Sequence, residues 1–123
     1  MRQELDDLLC LQYPLIFAQR SMKDSGMSQG FTCGDGWFAL IDALCECLQF
    51  DIDHNGGPQV VAVQVKEKLG SLRFYARPAS ERQRGMIDLA VAMSTRLCDV
   101  CGATVDGNVC SHQDTGDPGY SPA

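Results

Sequence analysis

The sequence predicts an α+β fold, in which a small antiparallel β-hairpin packs against helices. Two kinds of hydrophobic periodicity predict it. Apolar side chains recur at helical spacing over residues 36–50, whereas apolar and polar residues alternate over 59–69 and again over 72–77. The chain has 123 residues and is 45% hydrophobic, which suits one domain with a packed core. We expect that domain to span residues 1–112.

Three helices are predicted. The first covers residues 2–12, where leucines lie at helical spacing. The second covers 36–50 and packs on the apolar face of the hairpin, with Asp35 as its N-cap. The third covers 81–97 and follows Ser80, which is also a good N-cap.

Trp37, the only tryptophan, lies in the first turn of the second predicted helix. In that position a tryptophan most often anchors its helix in the core, and the alternative is an anchor for a partner. The preceding stretch, residues 20–34, is rich in Ser, Gly, Met and Gln, and we interpret it as a loop.

The two alternating runs form a hairpin if Gly70–Ser71 is a two-residue type II′ turn. That turn would fix the register of the two strands. Leu69 would face Leu72, and Lys68 would face Arg73. Alternation then places the apolar set on one face of the hairpin. The other face carries Gln64, Lys66, Lys68, Arg73, Tyr75 and Arg77.

One face of the predicted hairpin collects cations around a tyrosine. We call it the basic face and assign partner binding to its members, which are Lys66, Lys68, Arg73, Tyr75 and Arg77. Like charges that face each other across a hairpin cost stability. A protein of net charge −6 that keeps four cations together therefore has a use for an anion. That anion could be a carboxylate cluster in the same fold, an acidic partner or a phosphate backbone.

Two other interpretations of the basic face stay open. Acids of the second helix could neutralise it within the fold, or its lysines could protect the edge of a sheet from aggregation. The helix acids in question are Asp42, Glu46, Asp51 and Asp53.

Near the C-terminus the chain carries four soft or borderline metal ligands. Two cysteines form a CxxCG motif at 98–102, a tight turn that presents two thiolates to one ion, and Cys-Ser-His follows at 110–112. A structural Zn²⁺ takes four nitrogen or sulfur ligands in a tetrahedron. We therefore predict a zinc knuckle at 98–112 that closes the C-terminal region. Its ligands are Cys98, Cys101, Cys110 and His112.

The fourth ligand is the weakest part of this prediction, because a Cys-x-His pair is tighter than the usual Cys-x-x-Cys or Cys-x-x-His. His54 or Cys33 could replace His112. The alternative to a metal site is a small loop with ordinary reduced cysteines. A site with four protein ligands has no open position for substrate and would be structural.

Composition and charge narrow the class of protein further. A net charge of −6 argues against a surface that grips nucleic acid all over. The first seven residues include three acids, where a signal peptide needs an apolar run, and no stretch approaches the roughly 20 apolar residues of a membrane span. We expect a cytoplasmic protein with reduced cysteines. The polar stretch 113–123 is expected to be a disordered tail.

We predict that the protein is not an enzyme, because the sequence contains no nucleophile triad, phosphate loop or dinucleotide motif. One pattern leaves a metal-dependent nuclease as a minor alternative. Asp51 or Asp53 precedes a predicted strand that carries Gln64 and Lys66. Some nucleases use an acid followed by Glu/Gln-x-Lys to hold Mg²⁺ and the attacking water.

Three motifs together resemble a family of small bacteriophage and prophage proteins: CGDGWF at 33–38, QVKEKLGSLRFY at 64–75 and CxxCG at 98–102. The resemblance covers residues 5–112. Family members end in CxxH, where this chain has Cys-Ser-His at 110–112. The resemblance implies a protein that binds and disables a host protein or ribonucleoprotein complex in the bacterial cytoplasm, including CRISPR and other defence systems. Direct binding of nucleic acid through the basic face is the alternative.

Overall fold

The computed structural model describes residues 1–105 and residue 110. Within them it contains three helices and a three-stranded sheet, so the fold is mixed α/β. The elements are α1 (Gln3–Gln12), β1 (Phe31–Thr32), α2 (Phe38–Asn55), β2 (Val61–Lys68), β3 (Ser71–Arg77) and α3 (Glu81–Ser94). Short 3₁₀ turns precede β1 and α2, at Gly26–Gln29 and Asp35–Trp37. His112 and the expected tail, 113–123, lie outside the described residues.

The turn of the β2–β3 hairpin begins one residue earlier than the sequence predicts. Leu69–Gly70 forms the turn with φ angles of 55° and 79°, and two positive values are the type I′ pattern that matches strand twist. Lys68 therefore lies opposite Ser71, and Arg73 lies opposite Lys66. The predicted type II′ turn and its register are wrong.

Contacts in the folded chain select this register. The Gly70 N–H donates to the Glu67 carboxylate at 2.8 Å, and the Leu72 N–H donates to Ser94 Oγ on α3 at 2.9 Å. The Leu72 side chain is fully buried. Because the pairing between Gln64 and Tyr75 and the turn shifts by two residues, the side chains there keep their predicted faces, whereas a one-residue shift would have reversed them. The basic face is therefore preserved with different cross-strand neighbours. A β-bulge between Ala62 and Gln64 does reverse the alternation at the start of β2, and Ala62 is buried there.

The segment predicted as a loop contains the short strand β1. Phe31 and Thr32 pair in parallel with Val65 and Lys66 of β2, and the strand order is β1-β2-β3. The sheet is thus mixed rather than wholly antiparallel, and β3 lies at its edge. Two residues are too few to show an alternating pattern in the sequence.

The predicted helices form with altered ends. α3 begins after Ser80, whose hydroxyl accepts the Gln83 N–H while the Gln83 side chain accepts the Ser80 N–H, a complete capping box. α2 begins at Phe38 and continues to Asn55, where Gly56 ends it with a φ of 74°. α2 is thus longer than predicted, whereas α3 ends at Ser94, before the predicted end at residue 97. All three helices are nevertheless found where the apolar stripes predict them.

Asp35 does not cap α2, contrary to the sequence prediction. Its carboxylate accepts the N–H of Arg2 at 2.7 Å and so caps the start of α1. Asp35 therefore caps α1, which is distant in the sequence, instead of the adjacent α2. Only the tertiary structure determines which of the two helices it caps.

The core lies between the sheet and the helices. α3 lies beside both α2 and β3. The apolar stripe of α2 and the inner face of the hairpin belong to one buried cluster, whose members include Ile41, Leu44, Leu48, Val65, Leu72 and Phe74. This arrangement leaves the basic face on the other side of the hairpin.

Candidate metal centre and basic face

Three cysteine sulfurs meet where the chain leaves α3. The Sγ atoms of Cys98, Cys101 and Cys110 all lie within 4.8 Å of one another, and those of Cys101 and Cys110 are 3.3 Å apart. We call these three residues the sulfur cluster. Among residues 1–105 and 110, no other group of three His, Cys, Asp or Glu side chains is close enough to share an ion. The sulfur cluster could hold a metal ion.

A tight turn brings the first two sulfurs together. Cys98 accepts the Gly102 N–H at 2.8 Å and donates its own N–H to the Ala103 carbonyl at 2.8 Å. Gly102 has a φ of 78°, which glycine adopts without strain. Burial raises the pKa of the Cys98 thiol, while the N–H groups of Cys101 and Val100, which donate to its sulfur, lower that pKa in part. The turn thus orients a sulfur and offsets part of the cost that burial imposes on its thiolate form.

The turn docks on the segment that precedes α2, which is the CGDGW motif at 33–37. The Gly36 N–H donates to the Asp99 carbonyl at 2.6 Å, and the Gly34 N–H donates to the Asp99 carboxylate at 3.0 Å. A Cβ on Gly34 would overlap the Asp99 carbonyl, and a Cβ on Gly36 would overlap the nitrogen of Gly102. Both positions require glycine because two backbones approach so closely.

Trp37 completes this junction as a core anchor. Its side chain is 1% exposed, and its indole N–H donates to the Leu97 carbonyl at 2.8 Å, which fixes the end of α3 against the start of α2. The CGDGW and CxxCG motifs are distant in the sequence, but in the folded chain they form one structural unit. The available signal was two glycines that flank an acid immediately before the only tryptophan.

The sulfur atoms are close enough to share one ion. Two thiolates bound to the same Zn²⁺ at about 2.3 Å lie about 3.8 Å apart, and the spacings of the sulfur cluster, from 3.3 Å to at most 4.8 Å, include this value. Thiolate ligands favour a soft or borderline ion over Mg²⁺ or Ca²⁺. The described residues supply three ligands, and His112, the predicted fourth, lies outside them.

The two replacements considered for His112 are not close enough to join the sulfur cluster. His54 lies at the end of α2, where its ring stacks on Phe50 with centroids 4.4 Å apart. Cys33 is buried, and burial raises the pKa of its thiol to about 12.

Other thiols are held protonated in the same way. Burial, followed by the nearby Asp6 carboxylate, raises the pKa of Cys10 to about 11. Burial also raises the pKa of Cys45, which has no exposed surface in α2. These cysteines pack as small apolar side chains, and the structure gives them no ligand role.

The basic face is accessible to solvent along its length. Lys68, Tyr75 and Arg77 are exposed, and Lys66 and Arg73 are half-buried. The Lys66 ammonium lies 6.0 Å from the centroid of the Tyr75 ring, at the outer limit of a cation–π contact. In the part of the chain that the structure describes, no ion pair joins a cation of the basic face to an acid.

Helix acids considered as internal neutralisers contact other groups. Asp42 accepts the Tyr13 hydroxyl at 2.6 Å, and the buried Asp51 carboxylate lies 3.5 Å from the Arg82 guanidinium. Asp53 accepts an amide N–H from Gln49, one turn earlier in α2, at 3.0 Å. These contacts weaken the interpretation that the basic face is neutralised within the fold. They also place Asp51, an acid of the nuclease alternative, against a cation.

Comparison with family models, curated proteins and solved structures found no match. The resemblance to phage proteins, and the function that it implies, therefore stay predictions. Of the described helices, none combines the length and apolar character needed to cross a membrane.

Proposed function

We propose that the protein is a non-enzymatic interaction protein that binds an acidic partner through its basic face. One observation carries this proposal: in the described chain the cations of the basic face form no ion pair, although the sequence has 16 Asp and Glu against 10 Lys and Arg. Two of these cations, Lys66 and Arg73, lie opposite each other across the strands, where like charges cost stability unless an anion balances them. Tyr75, 46% exposed among them, adds the kind of aromatic contact that is enriched at binding hot spots.

The resemblance to phage proteins supports a host protein or ribonucleoprotein complex as the partner. On this basis we propose that binding inhibits the host complex and that defence complexes, including CRISPR systems, are its candidates. Electrostatic complementarity would accelerate association with an acidic surface and would reject basic ones.

A second part of the proposal concerns the metal. We propose that Zn²⁺ binds the sulfur cluster, with His112 as the fourth ligand, and that it serves a structural role. The bound ion would fix the C-terminal turn to the CGDGW segment at 33–37, which already contacts it through Asp99. Its contribution would be folding free energy rather than chemistry.

Affinity capture from host lysate with matched variants tests the proposed function. We expect the unaltered protein to recover a stoichiometric partner and Lys68→Ala/Arg73→Ala to lose it, because two cations of the basic face are removed. Lys23→Ala/Arg96→Ala removes two exposed cations elsewhere and should retain the partner. Recovery of no stoichiometric partner, or equal loss with both double variants, would count against the proposal.

Nucleic-acid binding is the second candidate function, favoured by the exposed Tyr75 ring beside Lys66 and Arg77. A base could stack on the tyrosine while the cations contact phosphates. Affinity for DNA or RNA should then fall steeply as salt rises, and Lys68→Ala/Arg73→Ala should abolish it. Absent or salt-independent binding would dispose of this candidate.

A further inference from the structure

A groove runs between the edge strand β3 and helix α3. Its volume is about 460 Å³, which lies within the roughly 300–1,000 Å³ of typical ligand sites. Val63 of β2 and Ile87 and Val91 of α3 are half-buried along it and supply apolar surface. Three members of the basic face, Arg73, Tyr75 and Arg77, also line it, so the groove continues that face toward the helix.

Charge in the groove is strongly one-sided. Arg73 and Arg77 from β3 and Arg84 from α3 line it, against the single acid Asp88. None of the three arginines forms an ion pair with an acid within the described residues. A guanidinium group binds a carboxylate through two parallel hydrogen bonds, so the groove suits carboxylates.

β3 also directs backbone donors toward this groove. The Leu72 N–H points away from β2 and donates to Ser94 Oγ on α3. Because backbone groups alternate in direction along an antiparallel strand, the N–H groups of Phe74 and Ala76 point the same way as that of Leu72. Both residues line the groove. Among the described residues, neither N–H finds a hydrogen-bond acceptor outside the sheet.

We propose that the groove binds an extended acidic segment of a partner protein. Its carboxylates would pair with Arg77 and Arg84, and its carbonyl oxygens would accept the N–H groups of Phe74 and Ala76. This inference rests on the proposed function, because it states how the basic face engages its partner. Alternate side chains of an extended segment point to opposite sides, so acids can face the guanidinium groups while apolar residues face α3. The row of edge N–H groups favours a peptide over nucleic acid.

A defined peptide tests the groove directly. The probe is a fluorescein-labelled Glu-Val-Glu-Val-Glu-Val-Glu peptide, titrated into the full chain at low salt and followed by anisotropy. We expect saturable binding, and affinity reduced by about tenfold or more in Arg84→Glu, because α3 then presents an acid to the carboxylates. Amide hydrogens of Phe74 and Ala76 should exchange about tenfold more slowly in the saturated complex. Lys23→Glu, a charge reversal at an exposed site elsewhere, should bind as the unaltered chain does.

Several outcomes would overturn the inference. They are absence of binding, affinity unchanged in Arg84→Glu, or unchanged exchange of the Phe74 and Ala76 amides in the saturated complex. Preferential binding of a short oligo(dT) over the acidic peptide would also overturn it. If Lys68→Ala/Arg73→Ala still abolishes capture of the host partner in any of these cases, the proposed function stands and only the groove is excluded. If the acidic peptide fails to bind the groove and Lys68→Ala/Arg73→Ala also fails to abolish capture of the host partner, both proposals are contradicted.

Discussion

Gly34 and Gly36 determine how the C-terminal turn meets the rest of the fold, although neither carries a functional group. Their N–H groups bond Asp99, and a side chain on either would collide with backbone atoms of the turn. Backbone atoms cannot rotate away as the end of a side chain can. The glycines therefore have a larger structural role than their chemistry suggests, and they link two motifs that are distant in sequence.

Gly36→Ala should destabilise the protein by about 3 kcal/mol or more, because the new methyl group overlaps the nitrogen of Gly102. Urea denaturation measures this loss. Gly85→Ala is the matched control: Gly85 lies inside α3 with open space around it, so alanine should stabilise by about 0.5–1 kcal/mol. Similar stability changes in the two variants would refute the close approach.

The sulfur cluster shows what single residues can and cannot reveal in a sequence. The CxxC spacing at 98–101 was sufficient to predict that two thiolates share a turn, and Cys110 joins them as expected. The contact between that turn and Gly36 could not be predicted, because glycine has no donor or charge that marks a partner. The only sign of this contact in the sequence is that residue 36 has no side chain.

A largely buried ion pair between Asp6 and Arg20 connects α1 to the segment before β1. Arg20 contacts both carboxylate oxygens of Asp6 at 3.0 and 3.2 Å and donates to the Ser28 carbonyl at 3.3 Å. The Asp6 side chain is only 6% exposed, whereas that of Arg20 is 28% exposed. Removing the arginine would leave a nearly buried carboxylate without its cation.

Arg20→Ala should therefore lower the free energy of unfolding by an amount near the lower end of the ~3–5 kcal/mol range for broken buried pairs. Arg20→Lys should recover only part of it, since an ammonium cannot make the two-pronged contact. Arg2→Ala breaks the exposed pair with Asp35, at 3.9 Å, and should cost less than about 1 kcal/mol. Equal losses in Arg20→Ala and Arg2→Ala, measured by denaturation, would contradict this ranking.

Regular elements differ in how far the sequence predicts them. The helices were predictable because apolar spacing is repeated over several turns and Ser80 has a capping partner in Gln83. The hairpin turn was not, because Leu69 adopts a positive φ that is uncommon for leucine and that other contacts hold in place. β1 was missed because its pairing with β2 depends on tertiary structure rather than on its two residues.

Burial of several thiols gives the folded chain a characteristic response to alkaline pH. The pKa values of Cys10 and Cys33 are raised from 9.0 to about 11 and about 12, mainly because burial disfavours the thiolate. The folded state then holds these protons more tightly than the unfolded state does. Their contribution to stability is complete below pH 9 and is lost as the pH rises through 9 toward 12.

The free energy of unfolding should accordingly fall between about pH 9 and pH 11, as urea denaturation at each pH would show. Cys10→Ala removes one of the contributing thiols, so its stability should fall less steeply over the same range. A stability that stays constant from pH 8 to 11 in the unaltered protein would contradict the burial of these thiols as described.

Zinc content of the purified protein tests most directly whether the sulfur cluster is a metal site that fixes the scaffold behind the basic face. Elemental analysis should find one zinc per chain, and Cys98→Ala/Cys101→Ala should abolish it and lower Tm by more than about 10 °C. Cys47→Ala, which removes an exposed thiol on α2, should keep both zinc and Tm. Absence of zinc from the unaltered protein, together with an unchanged Tm in the double variant, would contradict this account.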